Sequence, residues 1–283
     1  TPSVVSTTAL VVDEDGFPSA AVDTATARTD ETHYTESLTD TSGVAKVTFG
    51  HDVPADLAAS IVLKTTGLDG QLHTLNGNPV IFSVEAVTGN LVGKDGTTEV
   101  IRIAITDATL TNVATGEVTY TYSAHLSQPI QHASGNLENS ALLSGVSFTV
   151  TDSDADQTQG SFNLTVVDDI PQANADGPVA PAEHTLINID VFGNDKAGAD
   201  GVDLVSGIVL TSQATSGVAV YKGDGTFDYT PTPGAQGSDS FTYTITDKDG
   251  DTSTATVSIT LAADSTPSVV STTALVVDED GFP

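Results

Sequence analysis

Two stretches of this sequence follow one pattern, and the pattern restricts the fold more than any other feature does. FTVTDSDADQTQGSFNLTVVDD begins at Phe148, and FTYTITDKDGDTSTATVSITLAAD begins at Phe241. Each alternates apolar and threonine residues, crosses an aspartate-rich turn, alternates again and exits on acidic residues. A period of two sends successive side chains to opposite faces, so two such runs across a short polar turn predict a β-hairpin with one buried face. Other short β-branched or aromatic runs sit between Gly, Asn, Asp and Pro turns. AKVTFG, NPVIFSVEAV, TEVIRIAIT, EVTYTYSAHL and GVSFTVT precede the first aspartate turn, and HTLINIDVF, GIVLTS, GVAVYK, GTFDYTP, DSFTYTIT and TATVSIT precede or follow the second. No segment sustains a helical period. The expected fold class is all-β: tandem antiparallel Ig-like or cadherin-like β-sandwich domains arranged end to end.

Each hairpin closes a domain. The first boundary is expected after Val167, where DDIPQANADGP breaks the alternation with two prolines, a glycine and three aspartates. Residues 1–167 then form a larger Ig-like sandwich and residues 168–265 a cadherin-like one. A longer repeat is exact: Thr1–Pro18 and Thr266–Pro283 both read TPSVVSTTALVVDEDGFP, a period of 265 residues. Identity over such a stretch predicts a tandem array of near-identical units, with 266–283 as the start of the next copy and identical repeats as neighbours in the same chain. The chain contains Met 0 and opens without a basic and then apolar leader, which predicts a piece of a longer protein.

Charge narrows the partners. Lys plus Arg number 8 against 38 Asp plus Glu, a formal charge of -30, and the eight bases are scattered singly. A phosphate backbone or an anionic bilayer is repelled by such a field, so nucleic acid and acidic lipid are not expected partners. No stretch reaches the roughly 18 apolar residues of a membrane span, and no membrane insertion is expected. Cys 0 excludes disulfides and thiolate chemistry, so a secreted chain of this kind needs another staple. The unit is expected to be a monomer.

Catalytic signatures are missing from the sequence. It holds no G-x-S-x-G elbow, no H-E-x-x-H, no G-x-x-x-x-G-K-[ST] and no G-x-G-x-x-G, and its six histidines are dispersed without ligand spacing, which predicts surface or half-buried side chains. Carboxylates abound, but a sugar-cleaving pair needs a shared cleft with aromatic platforms, for which Trp 0 and 5% aromatics leave little material. No enzyme activity is expected.

The aspartate turns carry the chemistry instead. Asp152, Asp154 and Asp156 alternate in one, and Asp247, Asp249 and Asp251 in the other. Three hard oxygen donors converge wherever such a turn wraps inward, and calcium accepts six to eight oxygens in irregular geometry whereas magnesium demands a near-ideal octahedron. Asp and Gly also form turns without any metal, but unneutralised like charges repel, and the recurrence of the triplet favours Ca2+. Neither turn has the glycine or closing glutamate of an EF-hand. In an Ig-like sandwich the turn before the last strand returns to the pole where the chain enters. Asp247, Asp249 and Asp251 are therefore expected to meet Asp168, Asp169 and Asp176. Asp152, Asp154 and Asp156 are expected to meet Asp13, Glu14 and Asp15, or the counterpart of Asp264 in the preceding unit. Asn194 and Asp195, with Asp200, form a lesser candidate in GNDKAGADG.

These residues also carry a family resemblance. VVDEDGFP followed by GVSFTVTDSDADQTQGSFNLTVVDD resembles the repeat of giant bacterial surface adhesins exported by type I secretion, the RTX adhesins. INIDVFGND, GDGTFDYTP and DSFTYTITDKDGDTSTATVSIT resemble the bacterial cadherin-like domains of the same proteins. The resemblance implies an extracellular, cell-surface array of calcium-binding sandwiches that projects a distal ligand-binding region and serves biofilm or host attachment. The alternative is a module whose first domain itself binds glycan or peptide.

Overall fold

The computed structural model describes residues 1–17, 37–135, 139–182 and 184–263. Asp264 and the repeat 266–283 lie outside the described residues. The architecture is all-β. In chain order the first ten strands are β1 (Ser3–Thr7), β2 (Leu10–Asp13), β3 (Thr39–Thr48), β4 (Ile61–Leu63), β5 (Ile81–Val84), β6 (Leu91–Asp95), β7 (Thr98–Asn112), β8 (Glu117–Leu126), β9 (Ser140–Thr151) and β10 (Gln157–Val167). They make two sheets, one ordered β1-β3-β8-β7-β6-β5 and the other β2-β10-β9-β4. Seven more strands follow: β11 (Asp176–Val179), β12 (Ile187–Asp190), β13 (Ile208–Ser212), β14 (Gly217–Tyr221), β15 (Thr226–Pro231), β16 (Gly237–Thr246) and β17 (Thr252–Leu261). Their sheets are ordered β11-β17-β16-β13 and β12-β15-β14.

The alternation read from the sequence is the alternation of burial. Along β8, Val118, Tyr120, Tyr122, Ala124 and Leu126 are buried while the residues between them are half-buried or exposed. Along β16, Phe241, Tyr243 and Ile245 do the same. The inward faces build two separate apolar clusters, one running from Leu10 to Val166 and the other from Ile189 to Leu261. Tyr122 stacks on Phe162 with ring centroids 4.0 Å apart, which joins the two sheets of the first cluster. Phe227 touches Phe241 and Tyr243 across the second.

Both predicted hairpins form, β9 with β10 and β16 with β17. Beyond the antiparallel pairs, each half of the chain contains one parallel pair. Strand β2 runs alongside β10, and β11 alongside β17. The second of these alters the expected linker, because Asp176–Val179 is a strand rather than a free connection. Its edge position accommodates Gly177 and Pro178, which a central strand would not. The first parallel pair places Asp13 opposite Val167, so the residues that leave β2 and those that leave β10 emerge side by side.

Gly160 shows how closely the first core is fitted. It sits opposite Phe148 in the β9–β10 register, and a Cβ there would lie 2.3 Å from the Phe148 ring. Gly160→Ala should force that ring off its seat and lower stability by about 1–3 kcal/mol, read by urea unfolding. Unchanged stability would show that the ring does not lie over the glycine.

Candidate metal centre

The two aspartate turns share one backbone circuit. In the first, Asp152 N donates to Asp156 O at 3.0 Å, and Asp156 N donates to Asp152 Oδ1 at 2.8 Å. In the second, Asp247 N donates to Asp251 O at 3.1 Å, and Asp251 N donates to Asp247 Oδ1 at 2.8 Å. The fourth position needs a positive φ in both, supplied by Ala155 at 72° and Gly250 at 107°. The leading aspartate is therefore a turn former, with one carboxylate oxygen committed to the loop's own amides. The central aspartate takes no part in that backbone circuit.

What the central aspartate meets differs between the turns. Asp154 is exposed and groups with Asp52 and Asp152, near Thr1, whose hydroxyl donates to Asp156 Oδ2 at 2.7 Å. Asp247, Asp249 and Asp251 are all buried. The first half of the chain covers them: Ser134, from the β8–β9 connection, donates its hydroxyl to Asp249 O at 2.5 Å.

A carboxylate cluster gathers at this junction. Asp168, Asp200 and Asp249 form one group whose ligand atoms lie within 4.8 Å of one another; Asp247, Asp249 and Asp251 form a second, and Glu14, His132 and Asp168 a third. Asp168 and Asp249 each belong to two groups, so the three run together. Glu14 reaches the cluster because it follows Asp13, which the β2–β10 register sets beside Val167. Asp169 accepts from Ala199 N at 2.6 Å and so holds the loop that carries Asp200.

The placement expected for Asp13, Glu14 and Asp15 is thus reversed. They lie at the exit of the first half of the chain rather than beside Asp152–Asp156, because β2 runs parallel to the last strand and ends where that strand ends. Asp176 also departs from expectation. Its carboxylate accepts from the Tyr243 hydroxyl at 3.1 Å, and Asp195 accepts from the same hydroxyl at 3.0 Å. Asn194 bonds to Asp176 as well, so Asp176, Asn194 and Asp195 form their own group on the second core. Asp200, expected with Asn194 and Asp195, instead joins Asp168 and Asp249, while Asp52 and His132 are additions. His132 is buried, against the expectation of surface or half-buried histidines. Glu14 precedes it by 118 residues, a separation at which no local spacing could have signalled the contact.

Burial and repulsion dominate the electrostatics. Burial, reinforced by Asp249 and Glu14, pushes the Asp168 carboxyl up to about 11. Asp200 rises to about 9 by burial beside Glu14 and Asp249, and Asp247 to about 8 by burial beside Asp249. Glu14 is raised well above the carboxylate range, chiefly by burial. Burial lowers His132 to about 4 against the pull of Asp249 and Asp251. Among the described residues no lysine or arginine pairs with Glu14, Asp168, Asp200, Asp247 or Asp249. Glu14 Oε2, Asp247 Oδ2 and both oxygens of Asp168, Asp200 and Asp249 are buried without a hydrogen-bond partner. Such orphaned hard oxygens fit a divalent cation of the calcium type, which takes oxygen donors in irregular geometry.

Comparison with known proteins places the two halves. The model of a domain of unknown function, DUF5801, matches residues 9–165, more than half of the chain. The chain belongs to the DUF5801 family. A bacterial Ig domain matches residues 168–260, so the DUF5801 region is followed directly by an Ig-like one. No curated protein matches. Among solved structures, the eight N-terminal Ig domains of Down Syndrome Cell Adhesion Molecule share 9% identity at a TM-score of 0.23, covering 92% of this chain and 24% of that one. An endo-fucoidan hydrolase of glycoside hydrolase family 107 shares 19% at 0.23, covering 56% and 27%. Mouse cadherin-23 EC22-24 shares 12% at 0.25, covering 62% and 56%. The chain thus spans about a quarter of the first two structures.

The raised carboxyls fix the sign of a pH effect. Their folded-state values lie above those of the unfolded chain, so the folded state holds more protons from about pH 4 upward, and stability is lost as pH rises through about 8 to 11. In excess chelator the Tm should fall as pH is raised from about 5 to about 9, and saturating calcium should abolish the fall. A chelated Tm that climbs over this range would mean that the cluster is not buried as described.

Proposed function

We propose that this DUF5801 chain is a calcium-stiffened extender unit of a large, repetitive bacterial adhesin of the RTX type, exported by type I secretion and displayed on the cell surface. One observation carries the reading. A buried carboxylate cluster is drawn from both halves of the chain and contains no lysine or arginine among the described residues. Asp168, Asp200, Asp247, Asp249 and Asp251 would hold the ion, with Glu14 and Ser134 closing the junction from the first half. Bound calcium supplies the positive charge that lets these carboxylates stay ionised and close together. Docking the two halves costs orientational freedom, and the cation offsets that cost by joining side chains of both.

The repeat supports a spacer. In an array the residues before Thr1 are the counterparts of Asp264 and Ser265, so a carboxylate precedes the group Asp52, Asp152 and Asp154 at the opposite pole. Every unit would then carry a cation site at each end, and length would grow by copying. The alternative of a ligand-binding module has surface cavities in its favour, among them one of about 250 Å³ lined by Thr74, Asn76, Asp95, Thr98, Gln128 and Lys248 and one of about 360 Å³ lined by Thr215, Ser238, Asp239, Ser240 and Thr260. Both lie at or below the small end of the roughly 300–1,000 Å³ of ordinary ligand sites, and neither has an aromatic wall. No catalysis is proposed; Glu14, Asp168, Asp200, Asp247 and Asp249 are buried. Among the described residues no helix is long and apolar enough to cross a membrane.

Excess EDTA should lower the Tm by well over about ten degrees, because it leaves the carboxylates facing one another at short range. Small-angle scattering with calcium should show a rod that broadens its distance distribution in EDTA. An unchanged melting curve would sink the calcium reading, and a globular profile in calcium would sink the stiff spacer.

Asp249→Ala removes the residue shared by two ligand groups. It should reduce calcium affinity at the junction by more than about tenfold while leaving hydrogen exchange in β7 and β8 unchanged. Calorimetry that finds the parent's ion count and affinity would make Asp249 a turn residue alone.

A further inference from the structure

Glu14, His132 and Asp168 differ from the neighbouring groups in containing an imidazole. Their side chains are fully shielded from solvent and come from three separate segments: the turn after β2, the β8–β9 connection and the exit of β10. His132 Nε2 lies 3.4 Å from Glu14 Oε1 and 4.0 Å from Asp168 Oδ1. Ile130 N donates to Glu14 Oε1 at 2.8 Å, which anchors that carboxylate, while Glu14 Oε2, both Asp168 oxygens and His132 Nδ1 have no hydrogen-bond partner. Among the described residues no donor is placed to satisfy those oxygens.

The donor set selects the ion. Calcium and magnesium take oxygen, whereas neutral imidazole combined with carboxylate suits zinc and similar borderline divalent ions. A tetrahedral zinc ion with bonds of about 2.0–2.1 Å sets its ligands about 3.3 Å apart; the two His132 edges, at 3.4 Å and 4.0 Å, are within an ångström of that, and the Glu14–Asp168 edge lies within 4.8 Å. Asp168 has two buried oxygens and belongs to two groups, so it can offer one to each ion.

We propose that Glu14, His132 and Asp168 form a separate transition-metal site for Zn2+ or a similar ion, joined through the Asp168 carboxylate to the all-oxygen group Asp168, Asp200 and Asp249. This goes beyond the extender reading and does not require it. With three protein ligands the site keeps a fourth position for water or for a group of the same junction.

The test titrates the full chain, saturated with calcium, with Co2+ as a visible reporter and then with Zn2+. One equivalent of Co2+ should bind with the strong visible bands of a four- or five-coordinate nitrogen–oxygen site, resist excess calcium and be displaced by Zn2+. His132→Gln should weaken that binding by more than about 100-fold while the calcium-dependent rise in Tm persists. Loss of Co2+ to excess calcium, failure to bind Co2+, or unchanged affinity in H132Q would each overturn the proposal. X-ray absorption at the zinc edge of the unaltered chain guards against a variant that fails to fold: one imidazole in the zinc shell is expected, and a shell without one overturns the site. The calcium-dependent Tm is read separately, so failure of the zinc site and failure of the calcium junction are distinguishable.

Discussion

Glu14, Asp168, Asp200, Asp247 and Asp249 give up hydration at the junction and then face like charge, in groups whose ligand atoms lie within 4.8 Å. Inside a protein the attenuation of charge is several-fold weaker than in water, so repulsion that is negligible at the surface becomes strong enough to govern the arrangement. The geometry is tolerable with protons on the carboxyls or with a cation among them. Three features of the chain bring these carboxylates together. Strand β2 ends beside β10, the β8–β9 connection reaches over to Asp249 through Ser134, and Asp169 holds the loop bearing Asp200.

The two aspartate turns show that turn formation and ligation are not rival accounts of one motif. Asp152 and Asp247 spend an oxygen on amides of their own loops and so make the turn. The central residues, Asp154 and Asp249, are left over by that circuit, and their fates differ because their surroundings differ. Asp249 is capped by another part of the chain and buried, while Asp154 stays exposed beside Asp52 and Thr1. One local motif therefore yields a buried cluster at one pole and an open group at the other.

Two separate apolar clusters hold the two bodies, and among the described residues no buried apolar side chain belongs to both. Between the clusters, the buried Val167 and Ile170 flank the buried Asp168 and Asp169, and Asp200, Asp247 and Asp249 are buried with them. If the proposed cation binds there, the joint would be open where the ion is scarce and ordered where it is plentiful, whereas the driving force of an apolar interface does not depend on a dilute ion.

The strands were legible because their signal is local: alternation in β8, β9, β10, β16 and β17 is a property of about ten consecutive residues, and burial follows from it directly. The aspartate triplets and the acidic exits were legible for the same reason. Three features were not. Strand β11 has too few residues and too much Gly and Pro to show a period, and it exists because β17 offers it an edge. The pole occupied by Asp13, Glu14 and Asp15 depends on β2 lying parallel to β10, a choice made by the sheet rather than by the segment. His132 carries no spacing at all and becomes a candidate ligand through contacts with residues 118 and 36 positions away. Sequence by itself thus determined which segments pair as strands and which turns concentrate carboxylates, since both follow from short-range pattern. Tertiary structure decided which carboxylates meet, because that is fixed by strand direction and by which loop covers which pole.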